Sequence, residues 1–155
     1  MGGVAYTNIE GREGLLGPLG EAADEVGATL AFIAAAHEKV DDRTADRLEE
    51  ALFGPARRAY GRAKRTHAEF AARHGLPARS FAPPAEPPAA LRARDLIENA
   101  AATAERVDET LATLQDDQAL VELGDVELRS GIAAVREDIG VVPRSARQLL
   151  RMLGR

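Results

Sequence analysis

The chain has 155 residues, with no cysteine, no tryptophan, 20 Lys+Arg and 25 Asp+Glu, which give a net charge of -5. This length suits a single domain over residues 1–155, and the absence of cysteine excludes disulfides and thiolate metal sites. The apolar runs are all shorter than the about 20 residues that a transmembrane helix needs. Residues 1–6 carry no basic and apolar leader, so we expect a cytoplasmic protein, and the alanine-rich, arginine-rich composition is typical of a bacterial one.

The first predicted helix covers about residues 15–40, because small and aliphatic residues alternate there in steps of four and three. They are Leu15, Leu19, Ala22, Val26, Thr29, Ile33, Ala36 and Val40. Pro18 and four glycines in residues 11–20 favour a loose lead-in before this helix. A second helix, capped by Asp42, is predicted over about residues 43–74. We expect it to kink at Pro55, where a backbone donor is missing.

Five of the eight prolines fall in residues 76–88, which predicts a stiff linker of extended backbone. The 4-3 spacing returns in a third helix over about residues 89–115 and a fourth over about residues 118–140. Gly140 and Pro143 are expected to end the fourth helix. Proline is favoured at the first position of a helix, so a short fifth helix is predicted over about residues 144–153.

Four amphipathic helices with 4-3 stripes predict an all-α four-helix bundle. The connection between the first two helices is short, and so is the one between the third and fourth. Each of these pairs is therefore expected to form an antiparallel hairpin, and up-down-up-down is the predicted topology. In polyproline II conformation the linker reaches about 37 Å, which leaves a crossover topology open as the alternative.

Charge alternates in blocks along the chain. Residues 55–79 sum to +6 and residues 95–127 to -9. One interpretation is mutual neutralisation between neighbouring helices, and the other is a basic patch for a polyanion. The last predicted helix carries Arg144, Arg147 and Arg151 and no acidic residue. It is interpreted as a helix docked on the bundle, or as an anchor for a partner, a membrane surface or nucleic acid.

Four rings recur every seven residues in the second predicted helix: Phe53, Tyr60, His67 and His74. They are interpreted as a row of rings at the edge of the core or as the rim of a pocket, with Tyr60, His67 and His74 as candidate ligand-binding residues. The two histidines lie about 10 Å apart along the helix axis, too far to chelate one ion. No Glu-x-x-His motif of the di-iron bundles occurs, so neither a metal site nor a cofactor is predicted.

Residues 62–67 read Arg-Ala-Lys-Arg-Thr-His, an Arg-x4-His pattern. It is similar to the motif of the HEPN superfamily, helical bundles that include metal-independent RNases. The resemblance implies that Arg62 and His67 would activate a ribose 2′-hydroxyl and stabilise the scissile phosphate. It covers six residues, has Ala63 where the family has a polar residue, and falls in the second helix instead of a late one.

No other catalytic arrangement can be read from the residues. The chain is therefore interpreted as a non-catalytic helical bundle that acts by self-association, as a homo-oligomer, or by binding a protein partner. Two alternatives are kept: a HEPN-like nuclease that uses Arg62 and His67, and a bundle that binds a small ligand or metal near Tyr60 and His67. Arg144, Arg147 and Arg151 are the candidate residues for binding of nucleic acid.

Overall fold

The computed structural model describes the backbone of residues 2–153 and the side chains of residues 8–153. Within that part the chain is all-α and has no strand, as predicted. The elements in chain order are α1 (Gly2–His37), α2 (Asp42–Leu48), a π-helical turn (Glu49–Phe53), α3 (Gly54–Arg73), α4 (Ala93–Gln115), α5 (Gln118–Leu123) and α6 (Val126–Leu153). None of these helices combines the length and the apolarity needed to cross a membrane.

The long helices pack in an order that differs from the predicted one. α1 packs against α3 and α4, and α6 packs against the same two helices. Residue numbers rise on one helix as they fall on its neighbour, as in the ion pairs Asp108–Arg136 and Glu105–Arg147 between α4 and α6. All four neighbouring pairs are antiparallel in this way. It follows that α3 and α4 point in the same direction and lie diagonally opposite each other.

The predicted up-down-up-down topology is therefore wrong, and the path of residues 74–92 explains why. This segment does not turn back on α3 but runs beside α1, from Arg79 next to Gly20 to Ala89 next to Lys39. From Gly20 to its end at His37, α1 rises about 26 Å, and the segment from Arg79 to Ala89, which reaches Lys39 just beyond that end, covers about 31 Å in polyproline II. The extended segment thus follows the second half of α1 and returns the chain to the end where α3 began.

Two predicted helix boundaries are also wrong. α1 begins at Gly2 and not near residue 15, and it continues through Pro18. Proline within a helix leaves one carbonyl, here that of Gly14, without its backbone donor, while Leu15 and Leu19 on either side stay buried. The helix is therefore held by packing across the proline. The predicted stripe from Leu15 to Ala36 faces the core, since each of its members is buried.

The predicted break at Gly140 and Pro143 does not occur, and α6 runs through both residues. Val142, Pro143 and Ala146 are all buried, so the core holds this part of the helix in place. The break lies instead at Gly124 and Asp125, where Asp125 Oδ1 accepts a hydrogen bond from the Leu128 N–H at 2.8 Å. This is an N-cap contact, and it starts α6 there.

A π-helical turn connects α2 to α3 at the site of the predicted kink. The N–H of Gly54 donates to the Glu49 carbonyl, five residues back, and Pro55 occupies the first turn of α3, where its missing donor costs least. The N-cap of α2 is Asp41 and not Asp42, because Asp41 Oδ1 accepts from the Thr44 N–H at 2.7 Å. The carboxyl end of α3 closes at Gly75, which has φ 65, a conformation that glycine adopts without strain.

One polar contact lies inside the core between α1 and α4. Thr29 Oγ1 and Thr103 Oγ1 are 2.6 Å apart, and both residues are buried. Thr29 Oγ1 also lies 2.9 Å from the Glu25 carbonyl and Thr103 Oγ1 3.0 Å from the Ala100 carbonyl. One hydroxyl therefore donates across the interface and the other donates to its own helix. A slip of either helix would break the pair, so it favours one register.

Candidate functional site

The structure does not bring Arg62 and His67 together. Five residues along a helix correspond to a rotation of about 140°, and the two side chains accordingly have different neighbours. Arg62 is exposed and its Nε lies 3.5 Å from Asp138 Oδ2 on α6, beside Arg58, whose Nε lies 3.6 Å from the other carboxylate oxygen. His67 points towards α1 and the segment after α3, so no cleft is shared by the pair.

His67 is 3% exposed and borders a cleft of about 460 Å³ whose lining includes Leu16, Leu76 and Arg79. The ring of Phe81 meets the His67 ring edge-on at 5.4 Å between centroids. Burial lowers the pKa of His67, the Arg79 charge lowers it further, and the backbone of Leu16 raises it in part. Within residues 8–153 its Nδ1 is buried without a hydrogen-bond partner. Burial and the Arg79 charge thus favour the neutral form of the imidazole.

The remaining candidate ligand-binding residues, Tyr60 and His74, have their own separate neighbours. Tyr60 covers Gly27 of α1, and Lys64 Nζ lies 4.0 Å from the centre of its ring. His74 faces α6, where its Nε2 donates to Asp125 Oδ2 at 2.9 Å. Of the four rings, Phe53, Tyr60 and His67 therefore lie along α1, whereas His74 faces α6.

Sequence reasoning missed the cluster around Asp125. This carboxylate accepts two hydrogen bonds from Arg73, at 2.7 and 2.9 Å, in addition to those from His74 and from the Leu128 N–H. Burial raises the pKa of Asp125, but the bonds from Arg73, His74 and Leu128 outweigh it and hold the pKa well below its usual range. The cluster locks the carboxyl end of α3 to the start of α6. The signal that could have identified Asp125 as an N-cap is the Gly-Asp pair that directly precedes an apolar helix.

The charge blocks meet each other across helix interfaces. Salt bridges join α1 to α4, α4 to α6, α3 to α6, and α1 to the segment after α3; they are Arg106–Glu25, Arg136–Asp108, Arg147–Glu105, Arg58–Asp138, Arg62–Asp138, Arg73–Asp125 and Arg79–Asp24. Each exposed pair contributes at most about 1 kcal/mol. Together they neutralise much of the basic α3, which favours the interpretation of charge blocks as matching faces.

Arg144, Arg147 and Arg151 lie exposed on the last turns of α6. Arg147 Nη1 lies 3.1 Å from Glu105 Oε1 on α4, whereas within residues 8–153 the other two form no salt bridge. Their helix is not a separate docked element but the continuation of α6, which buries Ala146 and Leu149. Arg155 lies outside the described residues.

Among residues 8–153 no three His, Asp or Glu side chains are grouped so that they could hold a metal ion. Comparison of the chain with protein-family models, with curated proteins and with solved structures finds no match. The candidate functional features are therefore the His67 cleft and the two ends of α6.

Proposed function

We propose that this chain is a four-helix bundle with one crossover, and that it acts without catalysis by binding protein through the two ends of α6. The observation that carries this proposal is where the large exposed apolar side chains lie. At the end of the bundle where α6 starts they are Ile9 of α1, Val121 of α5 and Val126 of α6, which are 44%, 65% and 64% exposed. At the end where α6 finishes they are Met152 and Leu153, which are 48% and 37% exposed.

These positions stand out because the sides of the helices between them carry polar or small exposed residues. The core is filled by residues such as Phe70 and Leu111 that are fully buried, so packing does not require the exposed valines. Exposed apolar side chains that gather with charged ones are typical of protein-binding surfaces. We therefore assign the binding role to both ends of the bundle.

The enzyme alternative, a nuclease that uses Arg62 and His67, has the less favourable geometry. A general base must reach the proton that it abstracts, and His67 is almost completely buried. An RNA-cleavage assay on the wild type and on His67→Ala tests this alternative. Equal background cleavage by the two proteins would support the non-catalytic proposal, and His67-dependent cleavage would overturn it.

A second candidate function is favoured by the unpaired Nδ1 of His67 and the adjoining cleft. A neutral imidazole nitrogen accepts a hydrogen bond, so a rotation of the His67 ring that turns the buried Nδ1 towards the cleft would let the cleft take a small molecule with an N–H or O–H group and an apolar body against Leu16 and Leu76. Titration with small primary amines and alcohols, followed by the ¹⁵N shifts of the imidazole, tests it. A Nδ1 shift that saturates supports the site, and unchanged shifts refute it.

The proposed binding role is tested by sedimentation velocity of the pure protein over a wide range of concentration. We expect the sedimentation coefficient to rise with concentration and the rise to be weaker in Val121→Ser and Met152→Ser. Ala133→Ser, at an exposed position within α6, is the matched control and should behave as the wild type. If the two end variants associate as strongly as the control, the ends of α6 are not the binding surfaces.

A further inference from the structure

We infer that the partner of each α6 end is the opposite end of a second copy of this chain, so that copies join head to tail. This inference rests on the proposed function and adds the identity of the partner. It depends on the charges that surround the exposed apolar side chains, which are opposite in sign at the two ends.

The acidic end is defined here by exposed Val121 and Val126 with the exposed acids around them, Asp116, Asp117, Glu122 and Glu127. Two arginines are also present there, but both donate to backbone carbonyls. Arg12 Nε donates to the Leu123 carbonyl at 3.3 Å, and Arg129 Nη1 donates to the Gly124 carbonyl at 3.0 Å. These carbonyls are neutral, so both arginines keep their positive charge, but the four exposed acids outnumber them and leave this end acidic.

The basic end is defined by exposed Met152 and Leu153 with exposed Arg43, Arg47, Arg144 and Arg151. The segment that supplies Arg43 and Arg47 also carries the exposed acids Asp41, Asp42, Asp46 and Glu50, so the positive character of this end comes from the last turns of α6. Residues 143–153 contain no acidic residue. Arg47 and Met152 are in direct contact, at 3.1 Å between Nη1 and Sδ. Beside them is a groove of about 320 Å³ whose apolar lining is Ala51, Leu149 and Met152. A groove of this kind accepts a branched side chain such as Val121 or Val126.

The two ends cannot bind each other within one molecule. α6 starts at the acidic end and finishes at the basic end, and its 28 residues correspond to about 42 Å. Two copies arranged in line bring a basic end to an acidic end. This contact uses different surfaces on the two copies, so it is heterologous and can repeat in a chain of copies or a closed ring.

An anionic surface is the other class of partner that a basic end attracts, and the structure favours it less. Asp41 lines a groove with Arg43, Arg47 and Met152, and Glu50 lines the groove beside Leu149. These carboxylates repel a phosphate-covered surface, whereas a partner with its own arginines, such as Arg12 or Arg129 of the next copy, can accommodate them. The matching signs on one chain therefore favour the second copy.

The test is an exchange of charge between the ends, followed by sedimentation velocity at about 0.05 and 0.5 M salt. Glu122→Lys/Glu127→Lys reverses the acidic end, and Arg144→Glu/Arg151→Glu reverses the basic end. Each variant alone should bind itself at least about tenfold more weakly than the wild type. An equimolar mixture should regain association, because a native basic end then meets a native acidic end. Circular dichroism checks that each variant is folded.

Lys64→Glu/Arg65→Glu, in the middle of α3, changes the charge by the same amount as the basic-end variant and should associate as the wild type. A wild type that stays monomeric up to about 1 mM overturns head-to-tail association. Association that is equally strong in both reversed variants also overturns it, although binding by another face would then remain. If Arg144→Glu/Arg151→Glu loses binding to vesicles with one-third phosphatidylserine but sediments as the wild type, the basic end is a membrane site and the inference is wrong.

Discussion

Gly131 of α6 is the position where the packing of α3 against α6 leaves least space. A Cβ atom at this position would lie 2.4 Å from Thr66 Oγ1, 2.5 Å from Thr66 Cγ2 and 3.0 Å from Thr66 Cβ. Rotation of the threonine side chain moves the first two atoms but leaves its Cβ in place. Gly131→Ala therefore requires α3 and α6 to move apart by about 0.5 Å to reach ordinary contact distances.

Two opposing effects determine how much Gly131→Ala changes the free energy of unfolding. Overpacking costs about 1–3 kcal/mol, while alanine in a helix is about 0.5–1 kcal/mol better than glycine. We expect Gly131→Ala to lower the free energy of unfolding by about 1–2 kcal/mol. For a chain of this size the melting temperature should fall by about 2–8 °C. Urea titration and thermal melting followed by circular dichroism measure both quantities.

Gly140 provides the matched control, because it lies on the same helix and a Cβ there meets nothing within 4 Å. Gly140→Ala should raise the melting temperature by about 1–4 °C. Adding Thr66→Ala to Gly131→Ala removes two of the three crowded atoms and should recover part of the loss. If Gly131→Ala is as stable as Gly140→Ala, the close approach of α3 and α6 is incorrect.

Three further predictions concern polar groups. Thr29→Val and Thr103→Val should each lower the free energy of unfolding, measured by urea titration, by about 1 kcal/mol. The double variant should lose less than the sum of the two single losses, and additive losses would refute a direct bond between the two hydroxyls. Asp125→Asn keeps a capping oxygen but loses the charge, so it should be less stable than the wild type at neutral pH. The pKa of Asp125 is held well below its usual range, so the extra stability of the wild type over Asp125→Asn should decrease as pH falls below about 4. A difference in the free energy of unfolding that stays the same at all pH values would contradict the ion-pair cluster. Burial lowers the pKa of His67, so only the unfolded state gains a proton there as pH falls through about 6.5. His67→Gln should therefore reduce the loss of melting temperature between about pH 7.5 and 5.5, and an unchanged loss would contradict the burial of this ring.

Local pattern was enough to predict the helical class and the buried faces. The alternating steps from Leu15 to Ala36 mark residues that are all buried in the structure, because only one stripe of a straight helix can face a neighbour. The turn at Gly75 and Pro77 was readable for a similar reason, since each residue restricts the backbone by itself. These signals depend on a few consecutive residues and do not require knowledge of the partner helix.

Packing overrode the local signals at two prolines. Pro18 and Pro143 were expected to limit helices, but buried neighbours keep α1 and α6 continuous through them. At Pro55, where a kink was predicted, a π-helical turn leads into α3 and the proline lies in the first turn of that helix. Proline in a helix interior costs about 3 kcal/mol or more, which the burial of several apolar side chains offsets. Propensity alone cannot weigh these contributions.

Topology and the placement of the candidate site residues were decided by tertiary structure. A linker such as residues 76–88 permits either a hairpin or a crossover, and its path beside the second half of α1 becomes visible only when the helices are packed. Arg62 and His67 are neighbours in sequence but face different helices, whereas Asp125 gains its partners from α3, more than fifty residues earlier. The sequence thus determined the helical class and the buried stripes of the long helices, since both depend on short-range spacing, but not where α1 and α6 begin or that α6 continues through Pro143. Which helices meet, and so which polar groups share a site, depends on contacts between distant residues that no local pattern encodes.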